Sequence, residues 1–328
     1  MILDKIYCGL DIGNHSLKAS LVRVKAPNRY ELLETLEAPT RGFKKSYVSD
    51  LGEFSESIHR VLKELTRKSA GKFKGVHLGL GGHTVEMRYS KALIPLVDKA
   101  SKVITTGDLK KVNKQSRLLG IKMDEEILHD FPQQYLINDT NRILNPAGLY
   151  GRKLGVTSLL VISQSNLIGN ITKALNQAGF EVSNIFFSSL AAAQTALSRD
   201  HIQKGSLLID IGATTTNILF FKDGFLRHLD ILPFGGQHLT DSIAASLQVP
   251  FDLAEQINNS KLELLEIEKQ VGNVHWIVTY EPDYDVAYIG FSEKVKNLPL
   301  KTKQGRGSIL IGKKGQILGF EFNISELF

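Results

Sequence analysis

Apolar positions near the start of the chain recur first at strand spacing and then at helical spacing. Three strands are predicted over residues 5–10, 17–24 and 30–37. The helix that follows has a single apolar face, formed by Phe54, Ile58, Val61, Leu62 and Leu65. Because a further buried strand at residues 76–81 comes after this helix, the order of elements predicts an α/β fold.

A second block with a different composition runs from about residue 86 to residue 163. Its first strand, residues 85–94, leads to a helix with Asp108 as the predicted N-cap and Gly120 as the predicted C′ residue. Residues 157–163 are predicted to form a β-branched strand. His129 beside Asp130 is interpreted as a structural histidine in preference to an acid–base pair.

Two more helices and a short strand are predicted before residue 200. The first helix is closed by Gly179, and its apolar face consists of Leu167, Ile171, Ala174, Leu175 and Ala178. A strand at residues 184–187 then leads into a helix of small residues at 188–199. Because alanine faces let backbones pack closely, this helix is predicted to cross between two domains.

The last part of the chain begins with a strand–turn–strand segment and a strand at residues 225–232. A helix with Leu239, Ile243 and Leu247 on one face follows. A charged helix is predicted over residues 252–270, and residues 276–322 are predicted to form four or five short strands with glycine turns.

One strand–turn–strand segment occurs twice, at residues 9–24 and 207–224. Each copy is an apolar strand, Asp-Ile-Gly, a hydroxyl- and amide-rich turn, and a second apolar strand. This pattern predicts a β-hairpin that turns at Gly13 in the first copy and at Gly212 in the second. Two similar hairpins predict two similar halves that face each other, with an anion and a metal between them.

The chemistry of the two turns fits that prediction. Each turn can aim successive backbone N–H groups at one point, and Ser16 with the threonines at 214–216 adds hydroxyl donors. Asp11 and Asp210 end their strands, where a carboxylate can hold Mg²⁺ directly or through water. One copy alone would be interpreted as an ordinary tight hairpin, whereas two copies with the same flanks favour phosphate binding.

Composition and charge narrow the class of protein. Hydrophobic residues make up 42% and charged residues 23%, as in an ordinary globular protein. The net charge is +6, but Lys and Arg are scattered along the sequence, so nucleic-acid binding is disfavoured. Attraction to an anionic membrane surface is equally compatible with this charge. Cys8 lies in an apolar strand and is predicted to be a buried hydrophobe. Without a signal peptide or a bilayer-spanning apolar run, we expect a cytoplasmic protein.

Three further segments identify a family. They are APTRGFKKSYVSD (residues 38–50), HDFPQQYLINDTNRILNPAGLYGRKLGV (129–156) and ILPFGGQHLTDSIAASL (231–247). Together with the hairpins they resemble the bacterial cell-division protein FtsA, of the actin, sugar-kinase and Hsp70 superfamily, over about residues 5–258. NPAGLYG is the most specific part, because no general requirement of nucleotide binding explains it; it separates FtsA from the pilus-assembly ATPases.

The resemblance implies an actin-like α/β fold with ribonuclease H-like halves, an inserted FtsA-specific subdomain and a truncated second half followed by a small β-rich unit. The implied domains are a first actin-like subdomain (1–84), the FtsA-specific subdomain (85–163), the completion of the first subdomain with an interdomain helix (164–199), a partial second actin-like domain (200–258), a helical linker (259–272) and a β-rich C-terminal domain (273–328).

The resemblance also implies ATP and Mg²⁺ as cofactors, with Mg²⁺ held through water by Asp11 and Asp210. Asp210 and Gln194 are the implied catalytic residues, although an ordinary surface glutamine is an equal alternative for Gln194. The implied nucleotide-binding residues lie in the two turns and in one glycine loop: Asp11, Gly13, Asn14, His15, Ser16, Lys18, Gly212, Ala213, Thr214, Thr215, Thr216, Gly235 and Gly236. The glycine loop, Gly235 and Gly236, has two interpretations: it brings the backbone close to a nucleotide, or its conformation requires positive φ.

The sequence departs from the family after Asn258. The expected adenosine-binding glycine loop, the second interdomain helix and the amphipathic membrane helix of FtsA are not found in the sequence. Residues 276–322 instead resemble a small all-β domain of unknown function. Its Asp283 and Asp285 are predicted to cap a turn in preference to binding a cation.

The second turn also departs from the family pattern. Ala213 and Thr214 stand where FtsA has glycines, and Asn217 stands where it has an aspartate. A Cβ at residue 213 hinders a close approach of backbone to phosphate. We therefore expect ATP binding with weak or absent ATPase activity.

The first functional interpretation is an FtsA-like protein that links the FtsZ ring to the membrane and recruits division proteins to the septum. The family implies self-association into filaments and a peripheral location at the inner face of the cell membrane. The alternative is a nucleotide-free interaction scaffold derived from FtsA. A small-molecule kinase of the same superfamily is less favoured, because no candidate base for a substrate hydroxyl stands out and the second domain is too small. A pilus-assembly ATPase is also less favoured, because the NPAGLYG segment separates FtsA from that group.

Overall fold

The structure is a computed structural model that describes residues 5–26, 29–68, 73, 75–97, 101–139 and 141–261, together with the backbone of five strands at 267–271, 274–281, 286–291, 308–311 and 317–321. The chain divides into two compact units, Met1–Ser198 and Arg199–Phe328. Each unit has a main sheet of its own.

The first unit contains thirteen strands and four helices among its described residues. In chain order they are β1 (Lys5–Ile12), β2 (Ser16–Ala26), β3 (Arg29–Pro39), β4 (Phe43–Lys44), β5 (Tyr47–Val48), α1 (Leu51–Lys68), β6 (Gly75–Leu80), β7 (Val85–Pro95), β8 (Lys102–Val103), α2 (Thr106–Gly120), β9 (Glu125–Ile137), β10 (Asn141–Ile143), β11 (Tyr150–Gly151), β12 (Lys153–Gln164), α3 (Ser165–Gln177), β13 (Glu181–Phe187) and α4 (Ser188–Ala196).

The main sheet of this unit has the strand order β13-β6-β1-β2-β3. The strands β1, β2 and β3 pair antiparallel, while β6 and β13 run parallel to β1. The register places Asp11 beside Gly79 and Gly79 beside Phe186. The ends of three neighbouring strands therefore meet where α4 begins.

Helices α1 and α3 pack together on this sheet and close its core. All five residues predicted for the apolar face of α1 are buried, and the Phe54 ring stacks on Phe43 with centroids 5.0 Å apart. Cys8 is fully buried as predicted, and burial raises the pKa of its thiol to about 12. The thiol is therefore held in its neutral form.

The second block of the sequence forms a subdomain with its own sheet, in the order β10-β9-β12-β7. The central strand β12 is buried at ten consecutive positions, because it lies between β9 and β7 and is covered by α2. The predicted helix is present, but its N-cap is Thr105. Asp108 is instead the N3 residue of a capping box, since its carboxylate accepts from the Thr105 N–H at 2.9 Å.

The prediction for the end of this helix was also wrong. Gly120 is the last helical residue, and the C-cap is Ile121 in an extended conformation (φ −120°, ψ 144°). The helix therefore ends without a left-handed glycine, because the chain passes directly toward β9.

An ion pair joins the end of α2 to the sheet of the inserted subdomain. Arg88 donates to both carboxylate oxygens of Glu125, at 2.6 and 2.9 Å, and to the Gly120 carbonyl at 3.0 Å. The Glu125 side chain is only 9% exposed. The bidentate bond from Arg88 lowers the pKa of Glu125 from 4.5 to about 2.

We predict that Glu125→Gln destabilises the first unit by about 2 kcal/mol at neutral pH, because two charge-assisted hydrogen bonds lose their anion. The folded-state pKa of Glu125 lies below its ordinary value, so its contribution is present above pH 4.5 and is lost as the pH falls toward 2. Thermal unfolding across this pH range tests the prediction. The exposed neighbour Glu126, as Glu126→Gln, is the matched control; an equal loss in both variants would contradict the assignment.

The described elements of the second unit are α5 (Arg199–Lys204), β14 (Ser206–Ile211), β15 (Thr216–Lys222), β16 (Phe225–Leu232), α6 (Gly236–Leu247), α7 (Phe251–Lys261), β17 (Ile267–Val271), β18 (Val274–Glu281), β19 (Val286–Phe291), β20 (Ser308–Ile311) and β21 (Ile317–Glu321). The antiparallel strands β14, β15 and β16 repeat the arrangement of β1, β2 and β3.

The second sheet then departs from the first. Its order is β16-β15-β14-β19-β18-β17, and β19 pairs antiparallel with β14 where β6 is parallel to β1 in the first unit. The segment predicted as a separate β-rich domain therefore supplies strands to this sheet. Asp283 and Asp285 lie outside the described residues.

Three helix predictions differ from the structure. The predicted helix at 188–199 ends at Ala196, and α5 is separate. The predicted helix at 252–270 ends at Lys261, because residues 267–271 pair with β18 as a strand. The predicted apolar face of α6 is not buried throughout, since Leu247 is 56% exposed.

Helices α6 and α7 are joined by a polar contact that the sequence did not indicate. The fully buried Thr240 hydroxyl donates to the Glu255 carboxylate at 2.6 Å and accepts from the Asn258 amide at 3.1 Å. Within the ranges described above, no helix is both long and apolar enough to cross a bilayer.

Candidate functional site

The first predicted turn connects β1 to β2 as a tight hairpin. Ile12 pairs with Leu17, and the Gly13 N–H donates to the Ser16 carbonyl at 3.0 Å. Thr40 fixes this turn from the following segment, because its N–H donates to the His15 carbonyl at 2.9 Å and its hydroxyl donates to the Gly13 carbonyl at 2.8 Å. The turn is therefore held at two of its carbonyl groups.

The side chains of this turn point in different directions. The Asn14 carboxamide accepts from the buried Ser46 N–H at 2.7 Å, which ties the turn to the β4–β5 hairpin. Ser16 is buried, whereas His15 and Lys18 are exposed. Lys18 lies directly across the β1–β2 ladder from Asp11.

The second predicted turn has the same backbone arrangement. Ile211 pairs with Thr216, and the Gly212 N–H donates to the Thr215 carbonyl at 2.8 Å. Here the turn is fixed by the start of α6, because Gly236 N–H donates to the Gly212 carbonyl at 2.9 Å and Gln237 N–H donates to the Ala213 carbonyl at 2.8 Å.

Gly235 makes this approach of α6 to the turn sterically possible. Its backbone is extended (φ −160°, ψ −171°), so it is not required for a positive φ. A Cβ on residue 235 would lie 2.2 Å from the Gly212 carbonyl oxygen. The glycine is needed because two backbone segments meet there, which the sequence left open.

Asp210 and Asn217 are cross-strand neighbours at the base of the second turn. The Asn217 amide donates to the Asp210 carboxylate over 3.4 Å, and its own Oδ1 is buried without a partner among the described residues. Thr216 is buried, with its hydroxyl donating to the Phe234 carbonyl at 2.8 Å. Thr216 is one of the residues whose hydroxyl was predicted to face an anion. In the structure, this hydroxyl donates to a protein carbonyl.

In the structure, Asp11 has a hydrogen-bond partner that the sequence did not indicate. The Ser188 hydroxyl, in the first residue of α4, donates to the Asp11 carboxylate. Gly79 leaves room for this pair, because a Cβ there would lie 2.7 Å from the Ser188 oxygen and 3.0 Å from the Asp11 oxygen. Gln194, predicted on the same helix, is exposed six positions later.

His129 also contacts the start of α4. Its Nε2 accepts from the backbone N–H of Phe187 at 2.9 Å, and its ring stacks on Phe131. Burial lowers the pKa of His129, which favours the neutral ring that can accept this bond. The histidine predicted to be structural therefore has a specific hydrogen-bond partner, the backbone N–H of Phe187.

Each unit has a carboxylate of the kind that can hold Mg²⁺ together with a nucleotide. Among the described residues, no group of three or more His, Cys, Asp or Glu side chains could form a complete metal site. Mg²⁺ commonly uses one or two carboxylates, with waters and phosphate oxygens as its other ligands. Asp11 and Asp210 are carboxylates of this kind, each beside a turn whose backbone can bind phosphate.

Two family descriptions match parts of the chain. Residues 82–162 match the SHS2 domain inserted in FtsA, and residues 207–276 match cell division protein FtsA. The second match continues past Asn258, where the sequence analysis placed the end of the resemblance.

Curated relatives are similar over most of the chain. Cell division protein FtsA of Pseudomonas aeruginosa is 29% identical over 77% of the chain and 60% of its own length. FtsA of Bacillus subtilis is 24% identical over 89% of the chain and 64% of its own length. The chain thus spans somewhat under two thirds of the length of these relatives.

A solved structure has a similar fold. A chain of the PilM–PilN type IV pilus biogenesis complex matches with a TM-score of 0.54 and 17% identity, covering 78% of this chain and 69% of the other. The chain is therefore similar to cell division protein FtsA, has a segment that matches the SHS2 domain inserted in FtsA, and has an actin-like fold.

Proposed function

We propose that this FtsA-like chain binds Mg–ATP with its two phosphate-binding hairpins and connects the FtsZ ring to the inner face of the cell membrane. Asp11 in the first unit and Asp210 in the second would act toward Mg²⁺, and the turns that begin at Gly13 and Gly212 would bind phosphates. When bound, Mg²⁺ would neutralise phosphate charge.

One observation carries the nucleotide-binding part of this proposal. Both units fold the Asp-Ile-Gly segment into the same hairpin, with a glycine N–H bonded to a carbonyl three residues later at 3.0 Å in one and 2.8 Å in the other. Each turn is then fixed through its carbonyl groups by a following segment. Fixing the carbonyls in this way helps to orient the backbone N–H groups toward an anion.

The partners and location follow from the relatives and from charge. Residues 82–162 match the SHS2 domain inserted in FtsA, and the similar relatives are cell division proteins, which supports FtsZ and other division proteins at the septum as partners. The net charge of +6 supports attraction to anionic lipid headgroups. Self-association into filaments is part of the same proposal.

Titration of the full chain with a fluorescent ATP analogue, with and without Mg²⁺, tests the proposal. We expect micromolar binding that requires Mg²⁺ and slow or absent hydrolysis, because Ala213 and Asn217 depart from the family pattern. No binding at millimolar nucleotide would contradict the nucleotide site and favour the nucleotide-free scaffold.

Co-sedimentation with anionic vesicles and purified FtsZ tests the second part. We expect the chain to bring FtsZ to the vesicles, and we expect vesicles of neutral lipid alone to recruit less of the chain. Vesicle binding without FtsZ recruitment would contradict the proposed linking role while leaving the nucleotide result unaffected.

A further inference from the structure

Two hydrogen bonds connect the inserted subdomain to the carboxylate proposed for Mg²⁺. His129 lies on β9 of that subdomain and accepts from the backbone N–H of Phe187, and the next residue, Ser188, donates to Asp11. We propose that Ser188 is a positioning residue for Asp11 and that His129 holds Ser188 in place, so that the inserted subdomain sets the affinity for Mg–nucleotide. This inference rests on the proposed function.

Packing around Ser188 leaves little freedom for another arrangement. Phe187 is fully buried, and it is the N-cap of α4 without a side-chain cap of its own. Phe187 is the last residue of β13, and leaving its buried N–H without an acceptor would lower the stability of the fold. The imidazole of His129 satisfies that donor, which fixes the turn from β13 into α4.

The other side of Ser188 is equally confined. The register of three neighbouring strands places Asp11 beside Gly79 and Gly79 beside Phe186. Because a Cβ on Gly79 would approach both the Ser188 and the Asp11 oxygens, the serine hydroxyl occupies the space that the glycine leaves. The hydroxyl therefore helps to orient the Asp11 carboxylate.

A direct contact joins the inserted subdomain to the strand that leads into Ser188. Strand β9 contacts β13 directly, and α4 continues from β13 without an intervening loop. A shift of β9 is therefore transmitted to Phe187 and then to Ser188 within one residue. Such contiguous packing is a physical basis for coupling between a surface subdomain and a binding site.

The first arm of the test measures Mg²⁺ dependence. For Ser188→Ala, we expect about a tenfold higher Mg²⁺ concentration for half-maximal binding of the fluorescent ATP analogue, since one hydrogen bond to a charged group is lost. Ser188→Thr, which keeps the hydroxyl, should restore most of the affinity. Thermal unfolding of Ser188→Ala should stay close to that of the wild type, which separates positioning of Asp11 from a general loss of structure.

The second arm replaces the histidine. His129→Leu should raise the required Mg²⁺ concentration in the same direction, by roughly threefold, and His129→Gln should recover part of it because a glutamine oxygen can accept. His59→Leu is the matched control, since His59 on α1 also bonds to backbone, through Nδ1 to the Ala178 carbonyl at 2.9 Å.

A third measurement needs no nucleotide. Amide hydrogen exchange at Phe187 should be about tenfold faster in His129→Leu than in the wild type, because its acceptor is removed. If the wild type binds Mg–nucleotide but Ser188→Ala and His129→Leu keep its Mg²⁺ dependence, the inference is wrong and the proposed function stands. If the wild type does not bind, the proposed function fails, and unchanged exchange at Phe187 would separately overturn the structural link.

Discussion

Asp11→Asn is expected to weaken Mg²⁺-dependent nucleotide binding by roughly 10–100-fold, the largest functional effect of any substitution considered. The substitution keeps the shape of the side chain and an oxygen that can accept from Ser188. It removes the negative charge, which is the property that a hard cation requires. The fold should therefore survive while the cation contact is lost.

The measurement is a titration with the fluorescent ATP analogue at fixed Mg²⁺, with thermal unfolding as a check on folding. Asp139→Asn is the matched control, because Asp139 is an exposed aspartate of the first unit that pairs with Lys153 at 3.1 Å. Asparagine tolerates its left-handed backbone (φ 67°). Equal affinity in Asp11→Asn and the wild type would remove Asp11 from the proposed site.

Asp210→Asn extends the same experiment to the second unit. If both hairpins take part in nucleotide binding, each single variant weakens binding. If only Asp11→Asn has an effect, the second hairpin has lost its function, which would agree with the substitutions Ala213, Thr214 and Asn217 in and after that turn.

Phe54→Ala is expected to cause the largest loss of stability, about 3–5 kcal/mol, because it leaves a cavity in the core of the first unit. Phe54 is fully buried on α1 and stacks on Phe43 with an interplanar angle of 19°. Losing this ring removes both the buried area and an aromatic contact. A decrease of roughly 10 °C in the melting temperature of the first unit is expected from this loss.

Thermal and denaturant unfolding of the full chain, followed by hydrogen exchange in the first unit, would measure this effect. Leu118→Ala is the control, because Leu118 on α2 is 61% exposed and its truncation leaves no cavity. A loss below about 1 kcal/mol for Phe54→Ala would show that the core around α1 is not the stabilising core of this unit.

The main features of the fold could be predicted from periodicity alone. The strands predicted at 5–10, 17–24 and 30–37 lie within β1, β2 and β3, and the predicted apolar face of α1 is buried. These features depend on local spacing, since side chains alternate across a strand and recur every three or four residues on a helix. The repeated Asp-Ile-Gly segment likewise predicted two hairpins that the structure contains.

Features that depend on contacts between distant residues could not be predicted in this way. The helix predicted at 252–270 stops at Lys261, because residues 267–271 find a partner in β18. Asp108 was predicted as an N-cap, but Thr105 takes that position and uses Asp108 to complete a capping box. In both cases a specific hydrogen-bond partner decided between conformations that the sequence pattern allowed.

The candidate site shows the same division. The sequence by itself determined the two hairpins, their aspartates and the family resemblance, because each is written in a continuous segment. Only the tertiary structure brought Ser188 and Gly79 to Asp11, His129 to Phe187, and Gly235 against the second turn. Asp11 and Ser188 are 177 positions apart in the chain, so only the pairing of strands in the folded sheet could decide that they meet.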